Sequence, residues 1–344
     1  MVIAVNKDVK EKNDNYLCIF DDNDNINDLI KTGLHCKHKD YVKKVDINTT
    51  NYNINCIKKS KYGDKDWDVI PDKKDYKFAI IVPNCNNDHG KYNGKTFLAN
   101  CIESIINQTY KGWNLIIIDD CSDDTSVETI KSYKDDRITL LQNKRKRYNG
   151  GSRNVGIDYA KEHLDYDYIC FLDSDDWWID GNVLATINSE LYDHDMLIFD
   201  MHMLNETGYY STKHQIFNTY EEFFFSTGSL WCTAWSRVIK KDKIAYFCED
   251  TLMEDRVWSY RQADNVDYDK VKHIDDVLYV WNRMNYNGSV SLTRGNYWDA
   301  SAWCHIGHQS QLRGQLKHKE MIPILDKRIE RCKELANMGT YTQE

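Results

Sequence analysis

From residue 77 onward the chain alternates between two hydrophobic rhythms. Short unbroken apolar runs come first: "FAIIVP" (78–83), "NLIIIDD" (114–120), "ITLLQN" (138–143) and "YICFLD" (168–173). Runs of that length, stopped by Pro83 or by aspartates, fit strands buried on both faces of a sheet. Between them the apolar positions recur at helical spacing. Phe97, Leu98, Cys101, Ile102, Ile105 and Ile106 share one face of "KTFLANCIESIINQTY". In "TSVETIKSY", Thr125 and Glu128 have the spacing of a capping box. "GSRNVGIDYAKEHL" (151–164) reads as a further helix, entered through Gly150 and Gly151. Strands alternating with helices predict βαβ units and an α/β fold, a Rossmann-like, mostly parallel sheet flanked by helices.

After residue 180 the rhythm changes. "DMLIFDMHML" predicts a strand, "WCTAWSRVIKK" a strand with a turn, "MEDRVWSYRQAD" a helix and "VKHIDDVLYVWNRM" a long strand. From 296 on, Leu325, Ile329 and Cys332 stand at helical spacing. Ahead of residue 77, "YLCIF" and "WDVIP" are isolated among Asn, Asp and Lys, and "PDKKDYK" (71–77) has the composition of a linker. The expected organisation is a small N-terminal appendage over 1–75, a main domain over 76–292 and a helical C-terminal extension over 293–344.

Composition narrows the function. A net charge of −9 argues against a general nucleic-acid coat or a binder of anionic membranes. There is no run of about eighteen apolar residues, so no membrane span is expected. "MVIAVNKDVKEKNDN" lacks the apolar stretch of a signal peptide. Eleven cysteines without a CxxC pair fit reduced thiols and a cytoplasmic location. "HCKH" (His35, Cys36, His38) has no second half and reads as a solvated loop.

The candidate chemistry lies at the strand ends, where open parallel sheets bind ligands. Asp119 and Asp120 close the second strand; Asp173, Asp175 and Asp176 close the fourth. A single Asp in such a place usually caps a helix or turn. Several converging carboxylates repel one another, and a divalent cation relieves that repulsion. Oxygen-only ligands favour Mg²⁺ or Mn²⁺, which carry phosphates with them. The acidic cluster reads as half a site, completed by a metal and a diphosphate.

"AIIVPNCNN", "WNLIIIDDCSDDT", "GGSRNVGID" and "YICFLDSDDWW" resemble, in order and spacing, the nucleotide-sugar domain of family 2 glycosyltransferases of the A fold type (GT-A). "LMEDRVWSYR" is similar to that family's Glu-Asp motif, and "YVWNRMNYNGSVS" to its closing strand and loop; the likeness covers residues 77–292. The resemblance implies an inverting, metal-dependent transferase that moves a sugar from a nucleotide sugar, with UDP favoured, to a hydroxyl of a glycan or protein. It implies that Pro83, Asn84 and Cys85 border the nucleoside, that Asp120 accepts from the base and that Arg153 lies near the diphosphate. Asp173 would sit by the ribose and the metal, Asp175 would be the main ligand of Mn²⁺ or Mg²⁺, and Asp255 would be the general base. The family commonly has a base-stacking aromatic where Cys85 stands; Tyr92 is a substitute within the same long loop.

Four further acceptor-side candidates are Glu254, Trp177, Trp178 and Trp235, although such tryptophans are more often core and about half of them are expected to be buried. Glu254 and Asp255 point about 100° apart on a helix, so only one of them faces the sugar. The run Lys144, Arg145, Lys146 and Arg147 could grip a diphosphate or an anionic acceptor, or form a solvated loop. Two other functions stay open on sequence: transfer to hydroxymethylated bases of DNA, and a non-catalytic nucleotide-sugar binding module. A sugar nucleotidyltransferase would need a Gly-rich loop after the first strand, and "PNCNND" is not one.

Overall fold

The structure, a computed structural model, describes residues 74–88, 90–212, 234–249, 254–284 and 298–337. The expected appendage, apart from its last two residues, and the "HCKH" segment lie outside these.

The first half of the domain follows the predicted βαβ pattern. Strand β1 (Phe78–Asn84) leads through a short hairpin, β2 (Lys91–Tyr92) and β3 (Lys95–Thr96), into helix α1 (Phe97–Ile106). Then come β4 (Trp113–Asp119), α2 (Ser126–Ser132), β5 (Ile138–Gln142), α3 (Tyr148–His163) and β6 (Tyr168–Phe171). These four strands lie side by side in the order β5-β4-β1-β6, all parallel. The chain runs outward from β1 on one side and then returns to its other side, which creates a switch point at the carboxyl ends of β1 and β6.

The second half adds β7 (Trp177–Trp178), α4 (Val183–Glu190), β8 (Met196–Asn205), β9 (Gly208–Thr212), β10 (Arg237–Lys240), α5 (Glu254–Asn265) and β11 (Val271–Asn282). The sheet continues β6-β10-β8-β11-β7, with β9 also on β8. Here β10 is antiparallel to both β6 and β8, while β8 and β11 are parallel.

The apolar runs are unbroken because both faces of the sheet are covered. On β1, Ala79 and Ile81 join one core with Ile157 and Ala160 of α3 and Trp258, Tyr260 and Ala263 of α5. Phe78, Ile80 and Val82 point the other way, against Leu98, Cys101, Ile102 and Ile105 of α1 and Leu184 and Ile187 of α4. The same period of two separates Ile116 and Ile118 from Leu115 and Ile117 on β4.

Two local expectations are corrected. Thr125 does not close a capping box: its hydroxyl donates to Asp88 Oδ2 at 2.7 Å, and the N–H of Ser126 is taken by Asp124 Oδ1 at 2.9 Å. Helix α3 begins at Tyr148, so Gly150 and Gly151 lie inside its first turn.

The predicted C-terminal helix is two helices, α6 (Trp298–Gln315) and α7 (Ile322–Asn337). Ile306, Leu312, Leu325 and Ile329 belong to the same core cluster as Ile81 and Trp258. The carboxylate of Asp264, near the end of α5, accepts from the N–H groups of Lys317 (2.7 Å) and His318 (3.0 Å) and bonds His318 Nδ1 at 2.7 Å. The extension thus buttresses the helix that carries Glu254 and Asp255. Leu325 is fully buried, so Leu325→Ala should lower the unfolding free energy by about 2–5 kcal/mol. Urea unfolding should show one shifted transition; an unchanged midpoint would mean that the extension does not support the main domain.

Candidate active site

The acidic loop after β6 sorts its carboxylates into two kinds. Asp176 is buried: Tyr279 Oη donates to its Oδ2 at 2.6 Å and the N–H of Asn282 to its Oδ1 at 2.7 Å. Asn282 Nδ2 also donates to the carbonyl of Asp175 at 3.0 Å, and Tyr279 Oη accepts from the N–H of Asp173 at 3.3 Å. The loop is therefore bolted to β11 through Asp176. Burial, with Asp175 and Asp173 adjacent, pushes the Asp176 carboxyl well above the usual range. Asp173 and Asp175 stay half-exposed at the switch point.

Arg153, fully buried on α3, gathers the other acids. Its Nη2 donates to Asp173 Oδ1 at 2.5 Å; its Nη1 donates to Glu254 Oε1 at 2.7 Å and to Asp255 Oδ1 at 3.2 Å. The guanidinium lies 5.2 Å from the centre of the Phe247 ring. Such close approach of α5 to α3 requires Gly150, where a Cβ would stand 2.4 Å from the carbonyl oxygen of Cys248 and 3.0 Å from Glu254 Cβ.

Three carboxylates crowd the Arg153 guanidinium in a low-dielectric site, with the buried Arg237 acting on Asp255 as a second positive charge. Burial and then the neighbouring Asp255 push Glu254 up to about 7, against the pull of Arg153. Burial also raises Asp255, again opposed by Arg153. Burial works against the Arg153 charge, but Asp173, Asp255 and Glu254 outweigh it and raise its pKa further. Of the helix pair, Glu254 is the inner group, with its side chain 7% exposed; the Asp255 side chain is 29% exposed.

The residues expected around the nucleoside meet at the ends of β1 and β4. Pro83 and Asn84 pair in register with Ile118 and Asp119. Asn84 Nδ2 donates to Asp119 Oδ1 and to Ser122 Oγ, both at 3.2 Å, and its buried Oδ1 has no partner among the described residues. Cys85 is half-buried; burial raises its thiol pKa, Lys146 opposing and Asp120 adding.

Asp120 takes the capping role expected of an Asp at a strand end, but on α3 and not on the helix that follows β4. Its Oδ1 accepts from the N–H of Arg147 (2.8 Å) and Asn143 Nδ2 (2.7 Å), and its Oδ2 from the N–H of Tyr148 (2.9 Å). It caps α3, whose first residue, Tyr148, has a left-handed φ of 56°. In the basic run, Lys144, Arg145 and Lys146 are exposed, while Arg147 Nη2 donates to Glu249 at 2.6 Å.

The aromatic expectations are corrected. Trp177, Trp178 and Trp235 are all buried, with 8%, 2% and 3% exposure. Trp177 is stacked by Tyr92 at 5.1 Å, and Trp235 by Tyr279 at 4.4 Å. Trp178 pairs with Tyr279 across β7 and β11. Their rings are not free to meet a sugar, because the apolar core already covers them. Tyr92 is likewise engaged with Trp177 and not with the base side of the loop. Sequence reasoning missed Tyr279 and Asn282, which hold the acidic loop; in "VLYVWN" they look like ordinary strand residues.

A second group of possible metal ligands, Asp200, His273 and Asp275, lies elsewhere. It sits at the bulge of β11, where Asp200 faces Val277, five residues and about 16 Å of strand before Asn282. There His273 Nε2 is 3.1 Å from Asp200 and Nδ1 is 3.8 Å from Asp275. It is separate from the acidic loop.

Residues 79–246 match the sequence profile of Glycosyl transferase family 2. The UDP-Glc:alpha-D-GlcNAc-diphosphoundecaprenol beta-1,3-glucosyltransferase WfgD of Escherichia coli is 36% identical over 117 residues, 34% of this chain and 42% of that protein. Glycosyltransferase GlyA of Streptococcus pneumoniae serotype 4 is 23% identical over 77% of this chain and 35% of its own length. The chain spans less than half the length of these curated relatives. Among solved structures, S. aureus TarS 1-349 in complex with UDP-GlcNAc is similar in fold, with a TM-score of 0.53 and 18% identity over 68% of this chain and 66% of that one. No helix among the described residues is long and apolar enough to cross a membrane.

The site makes two predictions about stability. Arg153→Met takes from Asp173, Glu254 and Asp255 the guanidinium they share and should cost about 3–5 kcal/mol, read as a lower urea midpoint. Glu254, raised from 4.5 to about 7, holds its proton more tightly in the folded state, so its stabilising effect is full below 4.5 and is lost as pH rises through 7. Between pH 5 and pH 8, Glu254→Gln should lose less stability than wild type in thermal melts; parallel pH profiles would show that Glu254 does not titrate there.

Proposed function

We propose that this chain, whose residues 79–246 form a family 2 glycosyltransferase domain of the GT-A fold, transfers a sugar from a UDP-sugar to a hydroxyl group of a glycan, with inversion at the anomeric carbon. The observation that carries this reading is the Arg153 junction, which brings Asp173 from the acidic loop and Asp255 from α5 onto one guanidinium. The E. coli relative named for UDP-Glc and a GlcNAc-diphosphoundecaprenol acceptor supports the choice of UDP and of a glycan. A net charge of −9 disfavours DNA as acceptor, and the retained Asp173, Asp175 and Asp255 disfavour a module that only binds.

Asp173 and Asp175 are the residues that would hold Mn²⁺ or Mg²⁺. They fit such an ion: both offer hard oxygen atoms at the crevice, while Asp176 is spent on fastening the loop. When bound there, the ion neutralises charge on the departing diphosphate. The chain's own residues do the rest. Pro83, Asn84 and Cys85 line the nucleoside position. Asp120 keeps one lone pair on Oδ2 for the base, since a carboxylate oxygen carries two and Tyr148 uses one. Arg153 keeps Asp173 and Asp255 apart from each other yet fixed.

Asp255, the more exposed acid of its pair, takes the proton from the acceptor hydroxyl. The acceptor oxygen forms its bond to the anomeric carbon on the face opposite the diphosphate; the anomeric C–O bond breaks, and its electron pair leaves with UDP. A carboxylate raised by burial is a better proton acceptor near neutral pH than an exposed one.

Asp255→Asn preserves shape but cannot accept the proton, and should lower turnover about 10²–10⁴-fold with UDP affinity unchanged. Asp175→Ala should make UDP binding, followed by calorimetry, indifferent to Mn²⁺. Wild-type turnover in Asp255→Asn, or UDP binding in the wild type that ignores EDTA, would contradict the assignment.

A further inference from the structure

With the tryptophans buried, two tyrosines among the described residues present aromatic surface beside the acidic loop. Trp177, Phe97, Leu204 and Val280 make a small separate core next to that loop, and Tyr92 closes it by stacking on Trp177. Tyr209 stands directly across from Leu204 on β9, so both side chains project from the same face of the sheet. Its hydroxyl bonds that of Tyr92 at 2.8 Å, while 49% of the residue is exposed.

Position follows from the strand ladder. Leu204 pairs with Asn282, and Asn282 carries the hydrogen bonds to Asp175 and Asp176. Tyr209 is therefore two strand spacings, about 10 Å, from the residue that anchors the acidic loop. The link from that loop runs Asp176, Trp177, Tyr92, Tyr209.

We propose that Tyr209, braced by Tyr92, is a stacking platform for an oligosaccharide acceptor, binding a sugar ring beyond the one that carries the reacting hydroxyl. This rests on the glycosyltransferase reading. A sugar ring has an apolar face of C–H groups and an edge of hydroxyls. An exposed tyrosine offers the matching pair, an apolar ring and a polar tip. The bond between the two hydroxyls holds the Tyr209 ring in place, which lowers the entropy lost on binding, and leaves one proton and free lone pairs for sugar hydroxyls. Standing two strands from Asn282, the ring is assigned to acceptor affinity and length preference.

The test uses the full chain on an array of immobilised oligosaccharides, in the presence of UDP and Mn²⁺, comparing wild type, Tyr209→Ala and Tyr209→Phe. Tyr209→Ala should bind the glycan captured by wild type about tenfold more weakly, and Tyr209→Phe should retain most of the binding because the ring remains. UDP affinity, measured separately, should be the same in all three. Equal glycan binding by wild type and Tyr209→Ala would overturn the platform, as would a wild type that binds UDP but no glycan. A wild type that fails to bind UDP would overturn the donor reading instead, and the array comparison, which needs no turnover, still decides the platform.

Discussion

One buried guanidinium sets the geometry of this site. Arg153 has no solvent of its own, and Asp173, Glu254 and Asp255 compensate its charge in place of water. Those carboxylates come from two distant parts of the chain, the loop after β6 and the start of α5. Removing the cation would take from three acids the guanidinium they share; removing the acids would strand a buried charge. A loss of about 3–5 kcal/mol is a substantial fraction of the roughly 5–15 kcal/mol by which a domain is typically stable. The arrangement therefore fixes the relative position of two elements more firmly than apolar contact alone would.

Other contacts hold that junction from outside. Asp176 gives up solvent to bind Tyr279 and Asn282, which ties the acidic loop to β11 and turns Asp173 and Asp175 outward. Asp120 caps α3 and so places Arg153 about one and a half turns further along the helix. At the far end of α5, Asp264 takes the backbone of Lys317 and His318. The C-terminal helices, which have no place in the family likeness, thereby steady the helix on which Asp255 sits.

What the sequence revealed follows the physics of each signal. The four parallel strands were legible because burial on both faces leaves no polar break in the run. The hairpin β2–β3 was also written in the chain, as Asn93-Gly94, whose φ values of 51° and 80° are those such a turn demands, but the segment was read as an extended loop. The Arg153 junction was not legible, because its members stand some twenty and one hundred positions apart and only the packing of α3 on α5 joins them. Nor could sequence tell Asp176 from Asp173 and Asp175. Three adjacent acids look alike until a tyrosine on a strand one hundred residues later selects one of them. The tryptophans were open to two readings: an aromatic beside an acidic motif suits a sugar platform as well as the commoner core role, and here the core took them.

In the proposed reaction the acidic loop and Asp255 act from opposite faces of one anomeric carbon. The most direct measurement is proton NMR of the sugar released when the wild-type protein is incubated with an α-linked UDP-sugar and Mn²⁺ in the absence of acceptor, water taking the place of the hydroxyl. The account predicts slow release in which the β-anomer appears first and which EDTA abolishes. Release of the α-anomer first, or release untouched by EDTA, would contradict it.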